Sequence, residues 1–261
     1  MEHEKKKRPM MEACNHPRKR MFRARAHANP LNETLFDVPI HPRDVNWAEH
    51  FPEVLGSKKA DTASSSSEPA PVVQFADVGC GFGGLLVQLS PLYPNTLMVG
   101  MELRSKVTQY VKERIVTLRR EHIGQYRNIT CVRNNAMKYL PNYFEKGQLT
   151  KLFFLFPDPH FKASNHRRRI INEVLLTEYA YVLAPGAWLY TITDVEQLGT
   201  WMREKLDSHH MFERVSEEEL AGDAAAGLLL EATEEGQKVA RNKGSTFRNV
   251  YRRLLVPRAA A

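Results

Sequence analysis

The sequence predicts an α/β fold: a mostly parallel, seven-stranded sheet with helices on both faces. Three observations carry this. From residue 72 onward, strand patterns and helix patterns alternate along the chain. The run Leu152-Phe153-Phe154-Leu155-Phe156 is continuously apolar, as a central parallel strand buried on both faces requires. An apolar stretch rich in β-branched residues, 72–78, enters a glycine cluster from which a helical pattern emerges.

Residues 72–78 are the first strand. Residues 85–92 are a short helix that stops near Pro91 and Pro94. The second strand is 97–102. Residues 106–120 read as helix because Val107, Tyr110, Val111, Ile115 and Leu118 return to one face. Strand three is 129–133 and strand four is 152–156. The spacing predicts a helix over 168–183, stopped by Pro185-Gly186. Strand five is 188–193, followed by a helix over 195–207, a short strand at 212–215 and a closing strand at 249–256. This βαβ order favours parallel pairing through right-handed crossovers. There is no internal repeat.

The remaining segments have other compositions. Residues 1–30 lack apolar periodicity and read as a basic, disordered tail. Residues 31–55 mix Pro39, Pro42 and Pro52 with Trp47 and Phe51, too apolar for a free linker, and read as an irregular segment packed on the domain. Residues 56–71, with four consecutive serines, read as a flexible linker. The globular domain is 72–257, and 258–261 is a short tail. No apolar run approaches membrane-spanning length, and the first residues lack the apolar core of a secretory signal. Cys14, Cys80 and Cys131 have no paired spacing, which argues against a disulfide frame and a zinc site.

The net charge is +7, and residues 1–25 account for +6 of it, with nine Lys/Arg against three Glu. A basic arm of this kind serves nucleic-acid attraction or nuclear import.

The glycine cluster points to a Rossmann-type cofactor site. Gly79, Gly81 and Gly84 match G-x-G-x-x-G, and Glu102 lies 18 residues beyond Gly84 at the end of strand two, placed for ribose hydroxyls. Asp77 separates two cofactor classes. A carboxylate beside a dinucleotide pyrophosphate is repelled; beside the ammonium and sulfonium of S-adenosylmethionine it is attracted. Asp77, Gly79, Gly81 and Gly83 write the acidic-x-Gly-x-Gly-x-Gly form that suits the cationic donor. Asn135 and Ala136 follow strand three, where an amide and a small residue can border adenine.

A second stretch follows strand four: Phe156-Pro157-Asp158-Pro159-His160-Phe161-Lys162. Ligands of open α/β sheets bind beyond the carboxyl ends of the strands. Two prolines stiffen the turn that carries Asp158. His166-Arg167-Arg168-Arg169 follow, with no acidic residue between Asp158 and Glu173. A rigid carboxylate backed by a cationic segment fits an enzyme that modifies a base in RNA, the cations meeting phosphates. Asp158, His160 and His166 match no standard zinc spacing.

These residues resemble a family. Phe-Pro-Asp-Pro-His-Phe-Lys, with Asp-Val-Gly-Cys-Gly-Phe-Gly-Gly-Leu-Leu, is similar to the catalytic subunit of eukaryotic tRNA (guanine-N7)-methyltransferase, and the likeness runs from Arg23 to the final strand. The resemblance implies a Rossmann-like class I methyltransferase fold, S-adenosyl-L-methionine as donor and a variable-loop guanosine of tRNA as acceptor. It also implies a WD-repeat partner without catalytic residues, and a nuclear location. By position, Gly79, Gly81, Glu102, Arg104, Asn135, Ala136 and Leu155 then line the cofactor site. Thr233 and Glu235 join them, in a motif that lacks the tyrosine of bacterial relatives. Asp158 takes the catalytic position. Lys162 and Asp194 match substrate contacts, beside the cationic Arg167, Arg168 and Arg169. Another RNA, or a small molecule, is the alternative acceptor.

Overall fold

The computed structural model describes residues 16–24, 28–32, 37–56 and 71–258. Most of the basic tail and of the serine-rich linker, and residues 259–261, lie outside the described residues.

Among the described residues, seven strands form one sheet: β1 (Val73–Val78), β2 (Leu97–Glu102), β3 (Ile129–Arg133), β4 (Leu149–Leu155), β5 (Leu183–Thr193), β6 (Phe212–Arg214) and β7 (Phe247–Arg253). Their order is β3-β2-β1-β4-β5-β7-β6. The first five pair in parallel, and β7 is antiparallel to both β5 and β6. The order reverses between β1 and β4, so the crevice at a topological switch point opens beyond their carboxyl ends.

Ten helices accompany the sheet among the described residues: α1 (Trp47–His50), α2 (Pro52–Leu55), α3 (Gly84–Leu92), α4 (Ser105–Glu121), α5 (Ala136–Tyr139), α6 (Glu173–Val182), α7 (Glu196–Ser208), α8 (Glu217–Ala221), α9 (Ala224–Leu228) and α10 (Glu234–Arg241). They build two apolar layers. One packs α6, α7 and residues 38–55 on one face of the sheet, and the other packs α3 and α4 on the opposite face. The alternation of β4 shows why its sequence is apolar throughout: Leu152 and Phe154 enter the first layer, Phe153 and Leu155 the second. Phe51 is fully buried, and Trp47 stacks on Phe144 at 6.3 Å.

Several boundaries differ from the sequence reading. The helix expected over 168–183 begins at Glu173, where Asn172 caps it by accepting from the Leu175 amide. It ends at Val182 rather than at Pro185-Gly186, because Leu183 already pairs with Leu149. The strand then continues past Pro185-Gly186 with a shift of register. The region 217–241 folds into three helices of five to eight residues, too short to show a period. This excursion is tied down by Asp223, which accepts from Lys151 of β4 at 2.7 Å and from the Tyr190 hydroxyl of β5 at 2.7 Å.

The same excursion is held against α3 at one glycine. A Cβ on Gly84 would lie 2.1 Å from the Ala232 carbonyl oxygen. Gly84→Ala therefore pushes residues 232–233 away from α3. The expected cost is about 1–3 kcal/mol, read as a fall in thermal midpoint of roughly 2–12 °C.

Candidate active site

The loop after β1 is a tight turn of left-handed glycines. Gly79, Gly81 and Gly83 have φ of 75°, 53° and 76°. The Gly79 amide donates to the Met101 carbonyl at 2.8 Å, which fastens the loop to β2. Among the described residues, no atom outside the chain neighbours lies within 4 Å of a Cβ placed at Gly79, so the backbone there is not packed against them. That is the approach a nucleotide-type ligand needs.

Glu102, at the end of β2, is the most heavily bonded carboxylate of the site. Oε1 accepts from the Arg104 amide and from Arg104 Nε, both at 2.9 Å. Oε2 accepts from Arg104 Nη2 at 2.9 Å and from the Gly81 amide at 3.2 Å. Its side chain keeps 4% exposure, against 28% for Arg104. Four donors fill the four lone-pair positions of a carboxylate, so a ribose diol reaches Glu102 by exchanging with one of them. The pairing raises the Arg104 pKa further.

Asp77 is the penultimate residue of β1, between β2 and β4, opposite Gly100 and Phe153. It is 2% exposed. Burial first, then the charges of Glu102 and Glu234, push its carboxyl up to about 7. Three carboxylates thus converge beside the glycine loop, an environment that fits a cationic ligand and repels pyrophosphate.

On the side of β3, Ala136 is buried and Asn135 caps α5, accepting from the Met137 amide at 3.2 Å. Asn135 Nδ2 donates to the Pro30 carbonyl at 2.6 Å, which draws residues 28–32 to this edge. Leu155, at the end of β4, is buried. Thr233 caps α10, accepting from the Gly236 amide at 3.0 Å. The two acids that follow are separated by the turn of the helix. Glu235, the one expected from sequence, is 61% exposed and lies 3.6 Å from Lys238. Glu234 is turned inward, within Coulombic reach of Asp77, and pairs with Lys19 at 2.6 Å.

Beyond β4 the Pro-Asp-Pro turn is backbone-strained. Phe156 and His160, which bracket it, have φ of 49° and 43°, left-handed values rare outside glycine. The His160 amide donates to Asp158 Oδ1 at 3.3 Å, and His160 Nδ1 lies 3.9 Å from the same oxygen. Asp158 keeps 25% side-chain exposure. The carboxylate is therefore braced by the backbone of its own turn and only partly shielded from solvent. Asp194 is exposed at the end of the neighbouring β5, and Lys162 is exposed on the turn itself.

Residues 71–249 match the family described as "Putative methyltransferase". The chain is 59% identical over 238 residues to the tRNA (guanine-N(7)-)-methyltransferase of Zea mays, covering 91% of this chain and 93% of that one. It is 57% identical over 255 residues to that of Arabidopsis thaliana, covering 97% and 98%. It is 52% identical over 245 residues to tRNA (guanine-N(7)-)-methyltransferase A of Xenopus tropicalis, covering 92% and 90%. The chain belongs to the tRNA (guanine-N7)-methyltransferase family. This member of the family has the Rossmann-like class I fold expected from its sequence. A solved 16S rRNA methyltransferase aligns at 17% identity over 70% of this chain and 89% of its own, with a TM-score of 0.47.

In this family member the cationic segment is not uniform. Residues Ala163–Arg168 form a 3-10 turn, so Arg168 and Arg169 precede the helix that the sequence starts at 168. Arg167 is exposed and Arg168 half-buried. Arg169 is 2% exposed: its Nε donates to the Pro159 carbonyl at 2.9 Å and its guanidinium lies 4.7 Å from the Trp201 ring centroid. Charge pattern places Arg169 with its two neighbours against substrate. The structure instead packs it beneath the Pro-Asp-Pro turn, because Trp201 supplies an aromatic face and Pro159 an acceptor. Charge pattern alone carries no sign of that burial.

Three further contacts have no signal in local sequence. Phe22, in the 3-10 turn Lys19–Phe22, packs edge-on against Tyr110 at 5.5 Å, and Phe82 of the glycine loop meets the same ring at 5.0 Å. Arg114 of α4 donates to the Phe82 carbonyl at 2.9 Å. The N-terminal segment thus reaches the rim of the glycine loop. Among the described residues, no group of three His, Cys, Asp or Glu is placed to hold a metal ion.

Proposed function

We propose that this chain transfers a methyl group from S-adenosyl-L-methionine to N7 of a variable-loop guanosine in tRNA. The observation that carries the reading is the placement of Asp158 on a strained Pro-Asp-Pro turn, one strand away from an acid-lined glycine loop, at the switch point of the sheet. Gly79, Gly81, Glu102, Arg104, Asn135, Ala136, Leu155 and Thr233 border the donor, with Glu234 and Glu235 at its rim. S-adenosylmethionine supplies an electrophilic methyl group on a sulfonium. Guanine N7 has a free lone pair and no proton, so the chain needs no general base; its task is orientation and charge. Asp158 accepts hydrogen bonds from the guanine N1/N2 edge and stabilises the positive charge that develops on the purine. Asp194, Lys162, Arg167 and Arg168 position the strand. A base in a folded tRNA core is reached only by local opening of the loop.

The partner belongs to the same proposal: a WD-repeat subunit without catalytic residues. Val174, Glu178 and Tyr181 share one face of α6; Val174 and Tyr181 are 74% and 47% exposed. Glu178 Oε2 is buried without a hydrogen-bond partner among the described residues, and burial raises its carboxyl pKa. A face of this kind suits a protein contact. Nuclear residence follows from the basic blocks at 5–8 and 18–20, and a fluorescent fusion with both blocks neutralised should lose nuclear enrichment.

The test is to map N7-methylguanosine on bulk tRNA incubated with the full chain and labelled donor, with and without a candidate WD-repeat protein. One modified variable-loop position, with binding that weakens steeply as salt rises, is the expected result. Equal methyl transfer without tRNA, or transfer to a small molecule, overturns the reading.

Asp77 makes donor binding pH-dependent. With its carboxyl near 7 in the free chain, protonation at acid pH competes with a cationic ligand. The donor favours the ionised form, so affinity rises with pH. Between pH 6 and pH 7.5 the dissociation constant should fall roughly eightfold, and Asp77→Asn should flatten the slope. Calorimetric titration across that range measures both.

A further inference from the structure

We propose that Phe161 is the stacking surface for the base that is methylated, an inference that rests on the RNA-directed reading above. Phe161 is 65% exposed, the most exposed Phe, Tyr or Trp among the described residues. Its exposure is built in by the backbone. The left-handed conformation of His160 turns that ring inward, to 9% side-chain exposure beside Asp158, while the next side chain, Phe161, faces out. Pro157 and Pro159 leave the turn little freedom to relax this arrangement. An apolar ring held largely in water on a strained turn contributes little to folding, because it buries little surface.

Its surroundings say what covers it. Lys162 and Arg167 are exposed on the same segment, and no acidic residue stands between Asp158 and Glu173. Aromatic rings interleaved with cations are how proteins hold unpaired nucleic-acid strands, the rings taking bases and the cations phosphates. Asp158 and Phe161 lie three residues apart on one stiff turn. The carboxylate addresses the polar edge of a purine and the ring addresses its face, so the two contacts are compatible on a single base. The other strongly exposed apolar side chains, such as Ile123, Val174, Leu255 and Val256, are aliphatic and lie outside this turn.

Full-length Phe161→Ala, Phe161→Leu and Phe161→Trp chains test this in the tRNA assay above. Stacking predicts that Ala and Leu both lose roughly 5- to 150-fold in kcat/KM for tRNA, whereas Trp stays within about threefold of wild type. Donor affinity and thermal midpoint should be unchanged in all three, since the side chain is exposed. The loss should persist on tRNA with abasic residues flanking the target; if it vanishes there, a neighbouring base is what stacks and the proposal is wrong. Leu matching Phe would reduce the residue to apolar cover, and a fully active Ala variant would leave it no role. A fall in donor affinity that accounts for the whole loss would also overturn it. A wild-type chain that fails to methylate tRNA sinks the functional reading itself, an outcome distinct from an active wild type with an equally active Phe161→Ala.

Discussion

Replacing Asp158 by alanine should lower methyl transfer to tRNA by about 100-fold or more while donor affinity stays within about twofold. The reason is where the carboxylate sits and what holds it. Two prolines, left-handed Phe156 and His160, the His160 amide and the buried Arg169 under Pro159 all constrain one turn. Preorganised charge of this kind acts on the transition state, where positive charge reaches the purine, and its removal typically costs two to three powers of ten. Asp158→Asn keeps the shape and an acceptor but loses the charge, so an intermediate loss of about tenfold is expected. Single-turnover rates with labelled donor, beside calorimetric donor titration, separate chemistry from binding. Turnover within threefold of wild type for Asp158→Ala would remove the residue from the mechanism.

Glu102→Ala should act on the other half of the reaction. The carboxylate organises the glycine loop through Gly81 and holds Arg104 through three donors. Its loss leaves the guanidinium without its anion and the loop amide without an acceptor. Because Arg104 keeps 28% exposure and can turn to water, the cost in stability should be about 2–3 kcal/mol, toward the lower end for a broken ion pair. Donor affinity should fall by roughly 100-fold, since charge-assisted bonds to the ribose are lost as well. Glu102→Gln retains one acceptor and cannot match the bidentate guanidinium, so it should lie between the two. Isothermal titration and thermal unfolding measure both effects. An unchanged dissociation constant for Glu102→Ala would place the donor elsewhere.

Much of this site is legible in the sequence because it depends on local patterns. The glycine spacing, the acid two residues before it and the acid at the end of the next strand are read within thirty residues. The Pro-Asp-Pro turn announces its stiffness by composition alone. Other features escape because they are made by distant residues. Arg169 and Arg167 look alike in a run of cations, yet one is buried and the other exposed, and Trp201, 32 positions downstream, makes the difference. Glu234 and Glu235 are adjacent acids, and only the start of α10 at Glu234 decides which turns toward Asp77. Helix α6 starts at Glu173 because Asn172 caps it, a choice that apolar periodicity over 168–183 does not reveal.

The sequence by itself determined the class of the fold, the succession of strands, the presence of a glycine turn suited to a cationic nucleotide-type donor, and a rigid carboxylate beyond the fourth strand. These follow from side-chain period, proline and glycine stereochemistry and the sign of charge, all properties of short segments. Only the tertiary structure decided how the segments act together. The reversal of strand order sets β1 beside β4, so two turns some 75 residues apart open into one crevice. Burial then converts Asp77 from an ordinary acid into one that titrates near 7, because desolvation and the neighbouring charges of Glu102 and Glu234 exist only once the chain has closed around them.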